Sequence, residues 1–502
     1  MNLRPTLALI GAVLLAPSFT AQAQSAAPIV RIASGALAGV RDGDVVSFKA
    51  IPYAAPPVGE LRWRPPQPVK AWSGVRPADR VGAMCEQVYN ARDNGVGPLP
   101  MSEDCLTLNV FAPAPAKGAP VMFWIHGGGF INGSGTADLY DGSALARQGV
   151  VVVTINYRLG RFGFFSHPSL TAAAGGEPVG NYGLMDMIAA LKWTQANIGK
   201  FGGDPNKVTI FGESAGGFAV NDLMISPAAK GLFIRAIVES GAGRETAPPL
   251  AQAETLGTAF ATKAGLTNAT AAQLRALSAE QILKLGDPDL TAGGGSIADG
   301  KIMTMAPSAA FARGLEAKVP YIVGYNNLEF PVAAAALEQR LNGFATMTPA
   351  ARERISALYP DKATYDAHIV SDVIFTEPAL NLARLHVARG QPAFVYRFSV
   401  LSPSVAGRLQ GAPHASERQY VFRTLKTSTW PTDANDEMQA AVMSAYWVAF
   451  AKTGDPNGGG RPVWPKYSPG TNEILEFTNT GPKVVKTPMA PGLDAIAALY
   501  GR

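Results

Sequence analysis

Cysteine is nearly absent from this chain of 502 residues, occurring only at Cys85 and Cys105. Two thiols with no histidine beside them are too few for a zinc site, so no metal is expected. Histidine is also scarce, at positions 126, 167, 368, 386 and 414. Any chemistry that needs an imidazole therefore has few candidates. Charged residues make up 16% of the chain, and the lysines and arginines behind its net charge of +5 never gather into a run. That pattern offers no basic stripe for nucleic acid. The apolar run near the N-terminus, Leu7 to Ala16, falls short of the ~20 residues that cross a bilayer, and no stop-transfer pattern follows it. Low-complexity linkers and internal repeats are missing too, so a single domain is expected despite the length.

The same N-terminal run has a positive use. Arg4 precedes it, and small residues including Ala21-Gln22-Ala23 follow. This is the pattern of a secretory signal peptide over residues 1–23, with the mature domain spanning 24–502. No cysteine lies near the cleavage point, so no lipid or membrane anchor is expected. The protein is expected to be exported, to a periplasm or the extracellular space. That compartment is oxidising, so Cys85 and Cys105 are expected to pair. Closing a loop of roughly 20 residues contributes about 3 kcal/mol in the chain-entropy model.

Apolar residues make up 47% of the chain, enough for a large core. Several short runs carry little polar alternation: residues 121–126, 151–158, 207–212, 235–241, 320–326 and 393–398. Such runs suit strands buried on both faces. Leu184, Ile188 and Leu191 fall at helical spacing with Met187 beside them, in a pattern that ends near the glycines of KFGGDP. Strand, helix, strand at this spacing predicts an α/β fold with a mostly parallel central sheet flanked by helices. Helical patterning between about 330 and Ala393 is expected to lie over the active end of that sheet.

One of the runs ends in GESAGG, Gly212 to Gly217. Small residues let the backbone bend sharply between strand and helix, leaving the Ser214 hydroxyl exposed. A small-residue loop would read the same way, so the remaining parts of an acyl-transfer site must decide. Another strand run leads into His126-Gly127-Gly128-Gly129-Phe130. Three glycines leave backbone N–H groups open to an anion, with His126 then structural. His414, in the loop GAPHASE, lies late in the chain and outside helical patterning, unlike His368 and His386. It is the favoured base. Glu329, in GYNNLEF, gives the order serine, acid, histidine of an α/β-hydrolase. Asp299 and Glu377 remain alternatives on spacing, and Glu213, next to the serine, is expected to point elsewhere.

These pieces resemble the type-B carboxylesterase family, which includes the cholinesterases and bacterial p-nitrobenzyl esterases. The matching segments run almost end to end: FKAIPYAAPPVGELRWRPP, SEDCLTLNVF, WIHGGGF, NYRLGRFGFF, the stretch 180–217, GYNNLEF, GAPHASERQYVF and WVAFAKTGDPNGGGRPVWPKY. The resemblance implies an α/β-hydrolase with helical insertions over the active site, acting on a small-molecule ester and water without a cofactor. It implies Ser214 as nucleophile, Glu329 as acid and His414 as base. The oxyanion would be held by the N–H groups of Gly128, Gly129 and Ala215. Glu213, Ser240 and Glu417 match supporting polar positions, and Cys85–Cys105 matches the family's first disulfide. Two departures stand out. Ala415 replaces the glycine usual after the histidine. The disulfide loop has Tyr89 as its one aromatic where cholinesterases carry a tryptophan, which disfavours a choline ester. The same fold could instead cleave an amide, carbamate, thioester or lactone, or serve as a non-catalytic binding module. Phe130, Phe162 and Phe311 are candidates for lining an acyl pocket, the last two more readily assigned to the core.

Overall fold

The computed structural model describes residues 27–91, 99–244, 247–286, 295–330 and 347–501. The expected signal peptide lies outside them. Near the N-terminus, β1 (Ile29–Ile32), β2 (Gly35–Ala38) and β5 (Val75–Pro77) make a small three-stranded sheet. Among the described residues the main sheet has eleven strands. The first of these are β3 (Val40–Asp42), β4 (Val45–Pro52), β6 (Thr107–Pro113), β7 (Ala119–Ile125), β8 (Val151–Ile155) and β9 (Gly203–Glu213). The others are β10 (Arg235–Glu239), β11 (Tyr321–Asn326), β12 (Ala393–Phe398), β13 (Glu473–Thr478) and β14 (Gly481–Lys486).

The spatial order is β14-β13-β12-β11-β10-β9-β7-β8-β6-β4-β3. From β8 across to β13 every pairing is parallel; the pairings at both edges are antiparallel. The apolar runs read from the sequence are the parallel centre. On β7, Val121, Phe123 and Ile125 enter the core on one face, with Met122 and Trp124 in the core on the other. All five are fully buried. A strand with apolar side chains on both faces needs cover on both, and helices supply it.

The helices that matter for the site are α1 (Tyr182–Asn197), α2 (Ala215–Ile225), α3 (Lys362–Ser371), α4 (Glu377–Val387), α5 (Arg418–Phe422) and α6 (Ala434–Thr453). Leu184, Met187, Ile188 and Leu191 of α1, with Val220 and Leu223 of α2, join Phe123 on one face. Met443, Trp447 and Phe450 of α6 join Trp124 and Phe211 on the other. Between α3 and α4 the chain forms one π-helical stretch, Asp372–Thr376, of the kind that often sits at a functional site. Parallel strands deliver their C-terminal ends to one edge of the sheet, which is where α/β proteins bind ligands.

Cys85 and Cys105 are joined, with their Cα atoms 5.0 Å apart. Both are buried against the core. Replacing both with alanine is expected to lower unfolding stability by about 3 kcal/mol. Urea denaturation of the double variant beside the parent reads this; equal midpoints would show that the bridge does not stabilise the fold.

Candidate active site

Ser214 joins β9 to α2 with φ 54° and ψ −124°. A side-chain-bearing residue rarely adopts such a backbone, at a cost of about 1–3 kcal/mol. The surroundings hold it there. A Cβ on Gly216 would collide with the Ile125 carbonyl at the end of β7, and one on Gly212 would lie 2.5 Å from the Gly216 backbone. The Ser214 N–H donates to the Glu239 carbonyl on β10 at 2.8 Å. The serine is thus wedged between the ends of neighbouring parallel strands, with its side chain left partly exposed.

His414 reaches this serine from the loop after β12. Its Nε2 lies 2.8 Å from Ser214 Oγ, and its Nδ1 lies 2.7 Å from Glu329 Oε2. Glu329 follows β11 and is buried. Its other oxygen, Oε1, accepts from Ser240 Oγ and from the Asn326 N–H, each at 2.7 Å. The two loops are pinned together: the His414 N–H donates to the Glu329 carbonyl at 2.7 Å, and Asn326 Nδ2 to the Pro413 carbonyl at 2.8 Å. A carboxylate on Nδ1 sets the tautomer that leaves Nε2 able to accept a proton. Serine, histidine and glutamate therefore form a continuous chain in which a hydroxyl proton has a place to go.

The residues expected around them are present. Glu213 does not point elsewhere. Lying on β9 next to the turn, it brings Oε1 to 3.3 Å from His414 Nε2, while Arg418 lies 3.9 Å from its Oε2. Sequence proximity to the serine hid this, because the turn at Ser214 redirects the chain. Glu417 accepts from Asn326 Nδ2 at 2.6 Å and lies 3.4 Å from Ser240 Oγ. Burial pushes the Glu417 carboxyl up to about 7, with the charge of Glu329 adding to the effect. Ala415 has φ 68°, which explains why a glycine suits this position.

Gly127 follows β7 so closely beside the serine that a Cβ there would stand 3.0 Å from Ser214 Cβ. Gly128 and Gly129, at φ 99° and 63°, continue past it, both partly exposed. The N–H of Ala215 belongs to the first turn of α2, where backbone donors have no partner within the helix.

The alternatives read from the sequence lie in other structures. Asp299 accepts from the N–H groups of Lys301, Ile302 and Met303 in its own turn. Glu377 is a two-point ion pair with Arg244, at 2.9 and 2.5 Å. His126 stacks on Tyr157 at 4.3 Å, and His386 lies 2.8 Å from the Val319 carbonyl through Nε2. Phe130, Phe162 and Phe311 are all buried. Phe330 and Phe375, with ring centroids 5.1 and 4.9 Å from the His414 ring, were not read from the sequence. Phe330 adjoins Glu329 and could have been noticed; Phe375 sits in the π-helical stretch, which has no local sequence signal.

Known proteins resemble this chain over most of its length. Residues 26–357 and 361–492 match the Carboxylesterase family. A para-nitrobenzyl esterase of Bacillus subtilis is 38% identical over 473 residues, covering 89% of this chain and 94% of its own. A fumonisin B1 esterase of Sphingopyxis macrogoltabida is likewise 38% identical, over 88% of this chain and 85% of its own. A solved PNB esterase structure superposes with a TM-score of 0.83 at 33% identity, covering 93% of this chain and 99% of that one. The α/β-hydrolase architecture and the sequence together establish that this chain belongs to the carboxylesterase family and is a carboxylic ester hydrolase.

Proposed function

We propose that the protein is an exported serine carboxylesterase that works through an acyl-enzyme on Ser214. The observation that carries this reading is the unbroken path Ser214–His414–Glu329, at 2.8 and 2.7 Å. In it, Ser214 Oγ attacks the ester carbonyl while His414 Nε2 takes its proton. Glu329 holds the imidazole and stabilises its charged form. The oxyanion that forms is held by the N–H groups of Gly128, Gly129 and Ala215. His414 then gives its proton to the leaving alcohol, and water repeats the sequence on the acyl-enzyme. Glu213 flanks the histidine beside Nε2, and Ser240 and Glu417 support the acid from behind. Every step uses side chains and backbone of this chain.

Export rests on residues 1–23 and agrees with the Cys85–Cys105 bond. Among the described residues no helix is long and apolar enough to cross a membrane. In this reading the mature protein is a single domain beginning at Gln24, and N-terminal sequencing of protein recovered outside the cytoplasm checks the position.

Hydrolysis of p-nitrophenyl acetate and butyrate by the parent, Ser214→Ala and Glu329→Gln tests the roles. The serine variant is expected to lose about 10⁴-fold or more in kcat, and the glutamine variant about 10⁴-fold. An organophosphate is expected to label Ser214 covalently. Turnover that survives Ser214→Ala, with labelling elsewhere, would move the chemistry to another residue.

Glu417 gives a separate, pH-based test. Its ordinary value is 4.5, and the fold raises it to about 7. The folded state therefore holds this proton more tightly than the unfolded chain. The stability so gained is full below about 4.5 and is lost as pH rises through about 7. Glu417→Gln removes the titration, so between pH 5 and 8 its urea midpoint should fall less than that of the parent. Identical pH dependence in both proteins would show that Glu417 ionises freely in the folded state.

A further inference from the structure

The π-helical stretch Asp372–Thr376 reaches both partners of the nucleophile. The Phe375 ring packs on the His414 ring, with centroids 4.9 Å apart. Ser371, just before the stretch, accepts at Oγ from the N–H of Phe330, the residue after Glu329, at 3.4 Å. A shift of this segment would therefore disturb the base and the acid loop together. π-helical turns are rare, so packing must hold this one in place.

The C-terminal end of the chain supplies that hold. Helix α7 (Ala490–Ala498) packs on the stretch and on α4, with Leu493 and Ile496 buried in the core. The Tyr359 hydroxyl donates to Asp372 Oδ2 at 2.7 Å, and a Cβ on Gly492 of α7 would stand 2.7 Å from the Tyr359 ring. Beyond the other end of the stretch, Glu377 takes the two-point grip of Arg244. Arg244 lies four residues after Ser240, whose hydroxyl holds Glu329. Its guanidinium sits over the Tyr500 ring, 4.7 Å from the centroid. The Arg244 and Glu377 side chains are only 12% and 0% exposed. Charges desolvated to this degree hold one geometry, because losing the partner leaves a charge in a dry interior.

We propose that Tyr500 and the Arg244–Glu377 pair are positioning residues: they clamp the segment that seats His414 and the Glu329 loop, so that the last turn of the chain governs how well Ser214 is activated. This goes beyond the triad and rests on Ser214 as the nucleophile. The clamp acts through Phe375 and Ser371. A misplacement of about 1 Å in a reacting group costs up to about 100-fold in rate. Loosening the clamp therefore costs turnover and leaves substrate binding as it was.

The test compares kcat and KM for p-nitrophenyl butyrate in the parent, Tyr500→Ala, Tyr500→Phe and the double variant Arg244→Gln with Glu377→Gln. Each rate is divided by the number of sites that an organophosphate labels at Ser214, so that misfolded protein does not count. The double variant removes both charges at once, because Arg244→Gln alone would strand a buried carboxylate and weaken the fold. Tyr500→Ala is expected to lower kcat about threefold and the double variant about tenfold, with KM within about twofold of the parent. Tyr500→Phe keeps a ring over the guanidinium and is expected to turn over like the parent. If kcat per labelled site in Tyr500→Ala equals that of the parent, or if KM rises while kcat holds, the clamp does not position the base and the proposal falls. A parent that takes up no label at Ser214 sinks the nucleophile, and the proposal with it.

Discussion

The contact on which the site depends lies between two pieces of backbone. Gly216, in the first turn of α2, rests against the Ile125 carbonyl at the end of β7 with no room for a Cβ. That approach sets where α2 begins, and so forces Ser214 into its positive φ. It also brings the glycines after β7 beside the serine. Parallel pairing of β9 with both β7 and β10 fixes the heights of these strand ends relative to one another. The strain at one residue is thus balanced by packing spread over strands whose C-terminal halves are buried. A turn of this kind could not persist on a surface loop.

Around the histidine the fold gathers an unusual number of acids. Glu213, Glu239, Glu329 and Glu417 are all buried, with Arg418 among them. Four negative charges so close in a dry interior would repel strongly, and the structure shows how this is avoided. Burial and the neighbouring acids raise Glu239 well above its ordinary value, while the Trp447 indole N–H donates to it at 2.7 Å. Glu417 is raised to about 7. Glu329 accepts from the Ser240 hydroxyl and the Asn326 N–H.

The centre of the fold was legible because buried parallel strands leave continuous apolar runs. The edges were not: β3 is wholly exposed, and β14 has no buried residue. Strands of that kind carry no such run. Ser214, His414 and the glycines announced themselves by local chemistry. Choosing Glu329 over Asp299 and Glu377 required either the family resemblance or a view of what each carboxylate touches. Phe375 lay beyond the reach of local pattern, since a phenylalanine in a helix reads as core until its neighbours in space are known.

The strand ends carry a consequence for how such a protein can change over time. Ser214, Glu329, His414, Ser240 and the glycines each follow a different parallel strand, while the side chains that hold the sheet together point away from that rim. Pocket shape and core packing are thus encoded in nearly separate parts of the gene. A lineage can rewrite the loops that meet the ligand while the sheet continues to fold as before, so new specificities are reachable by small steps through functional intermediates.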